Sequence, residues 1–248
     1  MSDMKQTIQM EHVINIPSGN IRLEGELKLP KGATGVVLFA HGSGSSRHSR
    51  RNQYVARVIR EAGVGTLLFD LLTKQEGAID AYTGELRFDI EFLAKRLVDA
   101  TNWITTQPGT QHLRIGYFGA STGAAAALMA AVELPNIVAA VVSRGGRPDL
   151  AAEALPKVKA PTLLIVGGND NVVIGLNEKA FAKMSCEKEL KIVPGATHLF
   201  EEPGTLEQVA HLASAWFKRK LQPQAADLNS SALPVKIHAT QAARGGTS

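Results

Sequence analysis

Apolar and polar residues alternate in Val13 to Ile16 and again in Ile21 to Leu29, around the turn Pro17-Ser18-Gly19-Asn20. A period of two suits a strand with one buried face, so this stretch predicts a hairpin at one edge of a sheet. From residue 35 the pattern changes to short apolar runs separated by longer stretches of helical period. The runs are Gly35 to Ala40, Val64 to Leu72, 113–118, Ile137 to Val142, Pro161 to Gly167 and Leu190 to Val193. Runs without alternation predict strands buried on both faces. Helical segments are predicted at Gln53 to Ala62 (closed by Gly63), Asp89 to Thr106 (stopped by Pro108-Gly109), from about residue 122 to Leu134, Leu176 to Met184, and Thr205 to Leu221. A shorter helical piece is predicted from Asp149 to Leu155, and residues 73–88 read as a polar loop. Strands alternating with helices imply an α/β fold, a parallel sheet covered on both faces, spanning 1–221. Beyond Leu221 the chain is rich in Ala, Ser, Gln, Pro and Gly, and 222–248 reads as a tail outside the core.

One strand-to-helix junction carries the candidate chemistry. In Leu113 to Met129, a strand runs into Gly119-Ala120-Ser121-Thr122-Gly123 and then an alanine-rich helix. This is the pattern G-x-S-x-G of a nucleophile elbow, a turn that lifts a serine above the sheet edge and needs neighbours without bulk. A dinucleotide-binding loop is the sharpest rival. It wants G-x-G-x-x-G and an acid at the end of the next strand, but here the glycines stand at 116, 119 and 123 and the next acid, Glu133, falls on the helix.

A nucleophilic serine needs a base and a group that orients the base. In the order Ser, acid, His, each should follow a strand. Asp170 follows the run ending at Gly167, and His198 follows the run ending at Val193. Asp149, after the preceding strand, is the rival acid, but it reads better as a helix N-cap. Two backbone N–H groups should hold the oxyanion. Thr122, next after the serine, supplies one, and Ser43 in the sequence His41-Gly42-Ser43-Gly44 supplies the other. His41 is expected to prop that loop.

Composition narrows the setting. The 248 residues carry a net charge of +4, and 5% are aromatic. That gives little support to nucleic-acid binding, which wants a basic stripe interleaved with aromatics. Arg47, His48, Arg50 and Arg51 cluster, and read chiefly as a solvated loop and helix start. The one cysteine, Cys186, excludes a disulfide scaffold and is expected to be a bystander. With no basic-then-apolar leader and no long apolar run, the chain is expected to be cytoplasmic and to contact no membrane. Metal-ligand spacings are lacking, so neither metal nor cofactor is expected.

The motifs H-G at 41–42, G-x-S-x-G at 119–123, G-x-x-D at 167–170 and G-x-x-H at 195–198 resemble those of the α/β-hydrolase superfamily. The nearest branch is the small, capless dienelactone hydrolase family. The resemblance covers 35 to 221 and implies an eight-stranded, mostly parallel sheet. The family's type enzyme has a cysteine nucleophile where this chain has Ser121, which points away from dienelactones toward a serine carboxylesterase. Residues 143–160 leave no room for a cap domain. An open pocket is therefore expected, shaped by the 73–88 segment and by Leu71, Leu72, Val173, Ile174 and Phe200, and suited to small esters, lactones or activated phosphoesters. The rival reading is a non-catalytic relative that binds a small ligand or partner. The pattern leaves the oligomeric state open.

Overall fold

The computed structural model describes residues 8–223, so the predicted tail lies, from 224 onward, outside the described residues. The alternating segment forms an antiparallel pair, β1 (Ile8–Ser18) and β2 (Ile21–Pro30). There follow β3 (Gly35–Ala40), α1 (Arg50–Glu61), β4 (Gly65–Phe69), α2 (Lys74–Thr83), α3 (Ile90–Thr106), β5 (Arg114–Ala120) and α4 (Thr122–Glu133). The chain continues through β6 (Val138–Arg144), β7 (Thr162–Gly167), α5 (Asn171–Lys183), β8 (Lys188–Val193) and α6 (Thr205–Lys220). The eight strands form one sheet in the order β1-β2-β4-β3-β5-β6-β7-β8. All neighbours from β4 onward in that order are parallel, and the two strands at the β1 end are antiparallel.

The apolar runs of β3 to β7 are buried on both faces because each face has its own helical cover, whereas the run at Leu190 to Val193 lies in the edge strand β8 and leaves Ile192 exposed. Val36 and Leu38 of β3 pack with Leu93, Leu97 and Ile104 of α3 and with the alanines of α4. Val37 and Phe39, the alternate positions, pack with Val55 and Ile59 of α1 and Val209, Ala213 and Phe217 of α6. Burying a side chain of this size contributes roughly 1.5–3 kcal/mol. The β1 edge is half covered, and Val13 stands exposed on it.

Two expectations need correction. Residues 73–88 are not a loop: they hold α2 and a 3₁₀ turn at Leu86–Phe88. A polar, weakly amphipathic helix gives little periodic signal, but its boundaries are marked. Thr73 and Glu76 form a reciprocal capping box, and Gly84 closes the helix in the left-handed region at φ 69°. In addition, α5 begins at Asn171, one turn and more before the expected Leu176. Between β6 and β7 stand only two 3₁₀ turns, Pro148–Ala151 and Leu155–Lys157.

Candidate active site

Ser121 follows β5 and holds the N-cap position of α4, with φ 50° and ψ −121°. A non-glycine residue in this region is strained by about 1–3 kcal/mol and persists only where its surroundings enforce it. Here the Ser121 N–H donates to the Arg144 carbonyl (3.2 Å), and its own carbonyl accepts from Ala124 and Arg147 N–H (both 3.1 Å). The two flanking glycines are steric necessities. A Cβ on Gly119 would lie 2.4 Å from the Ala124 Cα, and one on Gly123 would lie 2.2 Å from the Ala40 carbonyl oxygen. The bare backbone at 123 thus lets α4 abut the end of β3.

Asp170 and His198 meet beyond the ends of β7 and β8. Asp170 occupies the N-cap position of α5, yet its side chain makes no capping bond. It turns instead to His198, with Oδ2 2.7 Å from Nδ1. A carboxylate here accepts a hydrogen bond from Nδ1–H, which fixes the ring proton on Nδ1 and leaves Nε2 as the basic nitrogen. The Asp170 side chain is 15% exposed and that of His198 38%, so the carboxylate is sheltered while the imidazole reaches the opening. Gly145, at φ 50°, lies against the ring: a Cβ there would meet Cε1 and Nδ1 of His198 at an ordinary 3.5 Å and crowd only the His198 carbonyl oxygen, at 3.2 Å. Ser121 and His198 thus flank consecutive residues of one strand end: Arg144 receives the Ser121 N–H, and Gly145 faces the His198 ring.

The rival acid is elsewhere. Asp149 takes the guanidinium of Arg147 in a two-point ion pair, at 2.9 and 2.7 Å. Nor does it cap a helix: Arg147 holds the N-cap position of that turn, and no side chain caps it.

The expected oxyanion residues are neighbours. The hydroxyls of Ser43 and Thr122 lie 3.0 Å apart, and a Cβ on Gly42 would sit 3.1 Å from the Ser121 Cβ. His41 anchors this loop from beneath. Its Nε2 accepts the Leu71 N–H and its Nδ1 donates to the Gly42 carbonyl, both at 3.0 Å. Burial pushes the His41 imidazole below the usual histidine range, against weaker opposing effects of the Gly42 carbonyl and Asp70. Protonation would place a hydrogen on Nε2, opposite the Leu71 N–H. In unfolded chains histidine titrates near pH ~6.5, so this contribution is intact above that pH and is lost as pH falls below it, by up to ~1.4 kcal/mol per unit. Urea unfolding between about pH 6.5 and 5.5 is expected to show this slope in the wild type and a shallower one in His41→Gln, whose amide oxygen still accepts from Leu71. Equal slopes would show that His41 is not the group that resists protonation.

Beside the Ser43 and Thr122 hydroxyls opens a cavity of about 340 Å³, lined by Ser43, Leu71, Leu72, Asp80, Arg87 and Thr122 among others. The expected Leu71 and Leu72 therefore face it. Val173, Ile174 and Phe200 do not. Val173 is buried on α5, and Phe200, at φ 56°, is buried in the core beneath α1 and α6. The 73–88 segment, expected to shape the pocket, walls it as the helix α2 rather than as a loop. Asp80 is buried there, accepts N–H bonds from Leu86 and Arg87, and pairs with the Arg87 guanidinium at 2.6 Å. Burial opposes ionisation of Asp80, but the Arg87 contacts outweigh it and hold the carboxyl below its usual range.

The basic cluster is only partly solvated. Arg47 pairs with Asp70 and Glu24, and Arg51 with Glu201. Burial raises the Cys186 thiol pKa, and the sulfur lies 4.0 Å from the Thr162 hydroxyl, so it is a poor nucleophile. Among the described residues, no group of three or more His, Cys, Asp or Glu side chains is placed to hold a metal ion. No helix among them is long and apolar enough to cross a membrane.

Comparison with known proteins agrees with this fold. A crystal structure of a dienelactone hydrolase from Anabaena variabilis superposes with a TM-score of 0.85 at 60% identity, covering 86% of this chain and 99% of that one. Est1E from Butyrivibrio proteoclasticus, solved with ferulic acid bound, shares the fold at 16% identity and a TM-score of 0.72, covering 84% of this chain and 98% of its own. A Mycobacterium tuberculosis protein named "Putative phosphoribosyl transferase" is 58% identical over 204 residues, which make up 82% of this chain but only 45% of that protein. The chain thus spans about half the length of that relative. The model of the dienelactone hydrolase family matches residues 23–222. With its eight-stranded, mostly parallel sheet and the elbow at residue 121, this chain belongs to the dienelactone hydrolase family of α/β-hydrolases.

Proposed function

We propose that the protein is a serine hydrolase that cleaves small carboxylic esters and lactones through an acyl-enzyme. The observation that carries this reading is the 2.7 Å contact of His198 Nδ1 with Asp170, beside a serine held at positive φ. In the proposed reaction Ser121 Oγ attacks the ester carbonyl while His198 Nε2 takes its proton. The N–H groups of Thr122 and Ser43 receive the oxyanion; one such donor is typically worth roughly 3–4 kcal/mol of barrier. His198 then gives the proton to the leaving alkoxide, and water enters by the same route in reverse to release the acid. Asp170 holds the imidazole in the required tautomer and stabilises its charged form. The cavity walled by Leu71, Leu72 and α2 takes the acyl group, and its size favours short or compact acyl chains. The same serine is open to activated phosphoesters.

A fluorophosphonate probe is expected to label the wild type stoichiometrically and to leave Ser121→Ala unlabelled. Nitrophenyl esters of graded length are expected to be turned over fastest at short acyl lengths. A wild type that folds and takes no label would instead favour the second reading, a non-catalytic ligand-binding member of the fold. The transferase name of the tuberculosis relative belongs to a polypeptide more than twice as long as its matched part. Because the match spans only 45% of that relative, its name assigns no transferase activity to this chain.

A further inference from the structure

A buried cation without a counter-charge lies behind the His198 loop. Arg144, the last residue of β6, shares its side of the strand with Ala140 and Val142, which pack among Val55, Ile59 and Val209 of α1 and α6. Its side chain therefore points to the seam between those helices. Arg144 is only 8% exposed, and its Nε and Nη1 are buried with no hydrogen-bond partner. Among the described residues no carboxylate pairs with it. The charge nearest in effect is a like one: burial, and after it the field of Arg51, push the Arg144 guanidinium down to about 10, so it stays protonated at neutral pH. Arg51, in the first turn of α1, also buries an unpartnered Nε, while its Nη1 holds Glu201 at 3.0 Å. That turn carries no acidic residue. Two arginines and the positive end of a 12-residue helix thus converge with three N–H groups unused.

We propose that Arg51 and Arg144, beside the N-terminus of α1, hold a small anion of chloride or carboxylate size. An isolated buried charge is costly, and a bound counter-ion removes that cost while using the free N–H groups. The small size follows from burial: Arg144 is only 8% exposed, and the Arg51 side chain, 33% exposed, is the link to solvent. The site is separate from the proposed catalytic groups and stands whether or not those cleave esters. Its rival is an ordered water joining Arg144 to the buried amide oxygen of Asn52, which also lacks a partner.

Thermal unfolding at constant ionic strength separates the two. Gluconate, too large for the seam, is replaced stepwise by chloride, by acetate or by phosphate. In the wild type, chloride or acetate is expected to give a saturable rise in Tm, roughly 5–10 °C at about 100 times the Kd. Arg144→Met and Arg51→Gln are expected to lose that rise; should the former not fold, the latter carries the test. A Tm indifferent to the identity of the anion, or a saturable rise kept in the variants, would overturn the site and leave the cluster to water. A response to phosphate but to neither smaller anion would overturn the size assignment.

Discussion

Ser121→Ala is expected to lower kcat for nitrophenyl esters by on the order of 10⁴–10⁶, with the fold intact. The size of the loss follows from the dependence of the other groups on this one. Without Oγ, the base His198 has no proton to take, and the oxyanion donors act on a reaction in which water must attack unaided. The fold should tolerate the change because the elbow's strain lies in the backbone at φ 50°, and alanine meets it much as serine does. The hydrogen bonds that enforce the turn are all made by main-chain atoms of residue 121 and survive the substitution. Cys186→Ser serves as the control, since its thiol sits behind the sheet's working edge and is raised by burial; rates should be unchanged. Retention of more than a tenth of the wild-type activity in Ser121→Ala would remove Ser121 as the nucleophile.

The order of the elements, and the places where the proposed triad lies, were legible because they rest on strong local signals. Buried parallel strands read as unbroken apolar runs, and each candidate catalytic residue lies just past one. Gly119 and Gly123 were legible for a steric reason that the structure makes concrete: a methyl group at either would strike backbone, which cannot move aside. That residues 73–88 wall the cavity was legible, but their helical form was less so. The α2 helix lies over the site with little apolar periodicity, so composition alone called it loop, although Thr73, Glu76 and Gly84 mark its ends. Phe200 misled in the other direction. It follows His198 closely in sequence, but its positive φ turns the chain and drives the ring into the core beneath α1 and α6. Arg144 gave no signal at all. Nothing in the sequence Val142-Ser143-Arg144 distinguishes a strand-end arginine that snorkels to solvent from one sealed under two helices.

Asp170→Asn should cost on the order of 10² or more in kcat beyond any loss in Asp149→Asn. The comparison isolates chemistry from folding because neither change should unfold the protein. Asn is at least as good as Asp at a helix N-cap, which is where residue 170 sits, so α5 keeps its start. Asp149 loses only its ion pair with Arg147, whose side chains are 37% and 27% exposed, and pairs of that kind are worth about 0–1 kcal/mol. The difference must therefore appear in rate. An asparagine at 170 can offer His198 Nδ1 either an N–H donor, which moves the ring proton to Nε2 and abolishes the base, or a neutral oxygen, which no longer stabilises the imidazolium formed as Ser121 attacks. Both outcomes act after binding, so KM should move little while kcat falls. Equal losses in the two variants, with equal urea midpoints, would mean that the 2.7 Å contact between His198 and Asp170 only holds the loop. A larger loss at Asp149 would move the acid to the end of β6, where the structure gives that carboxylate an arginine and no histidine.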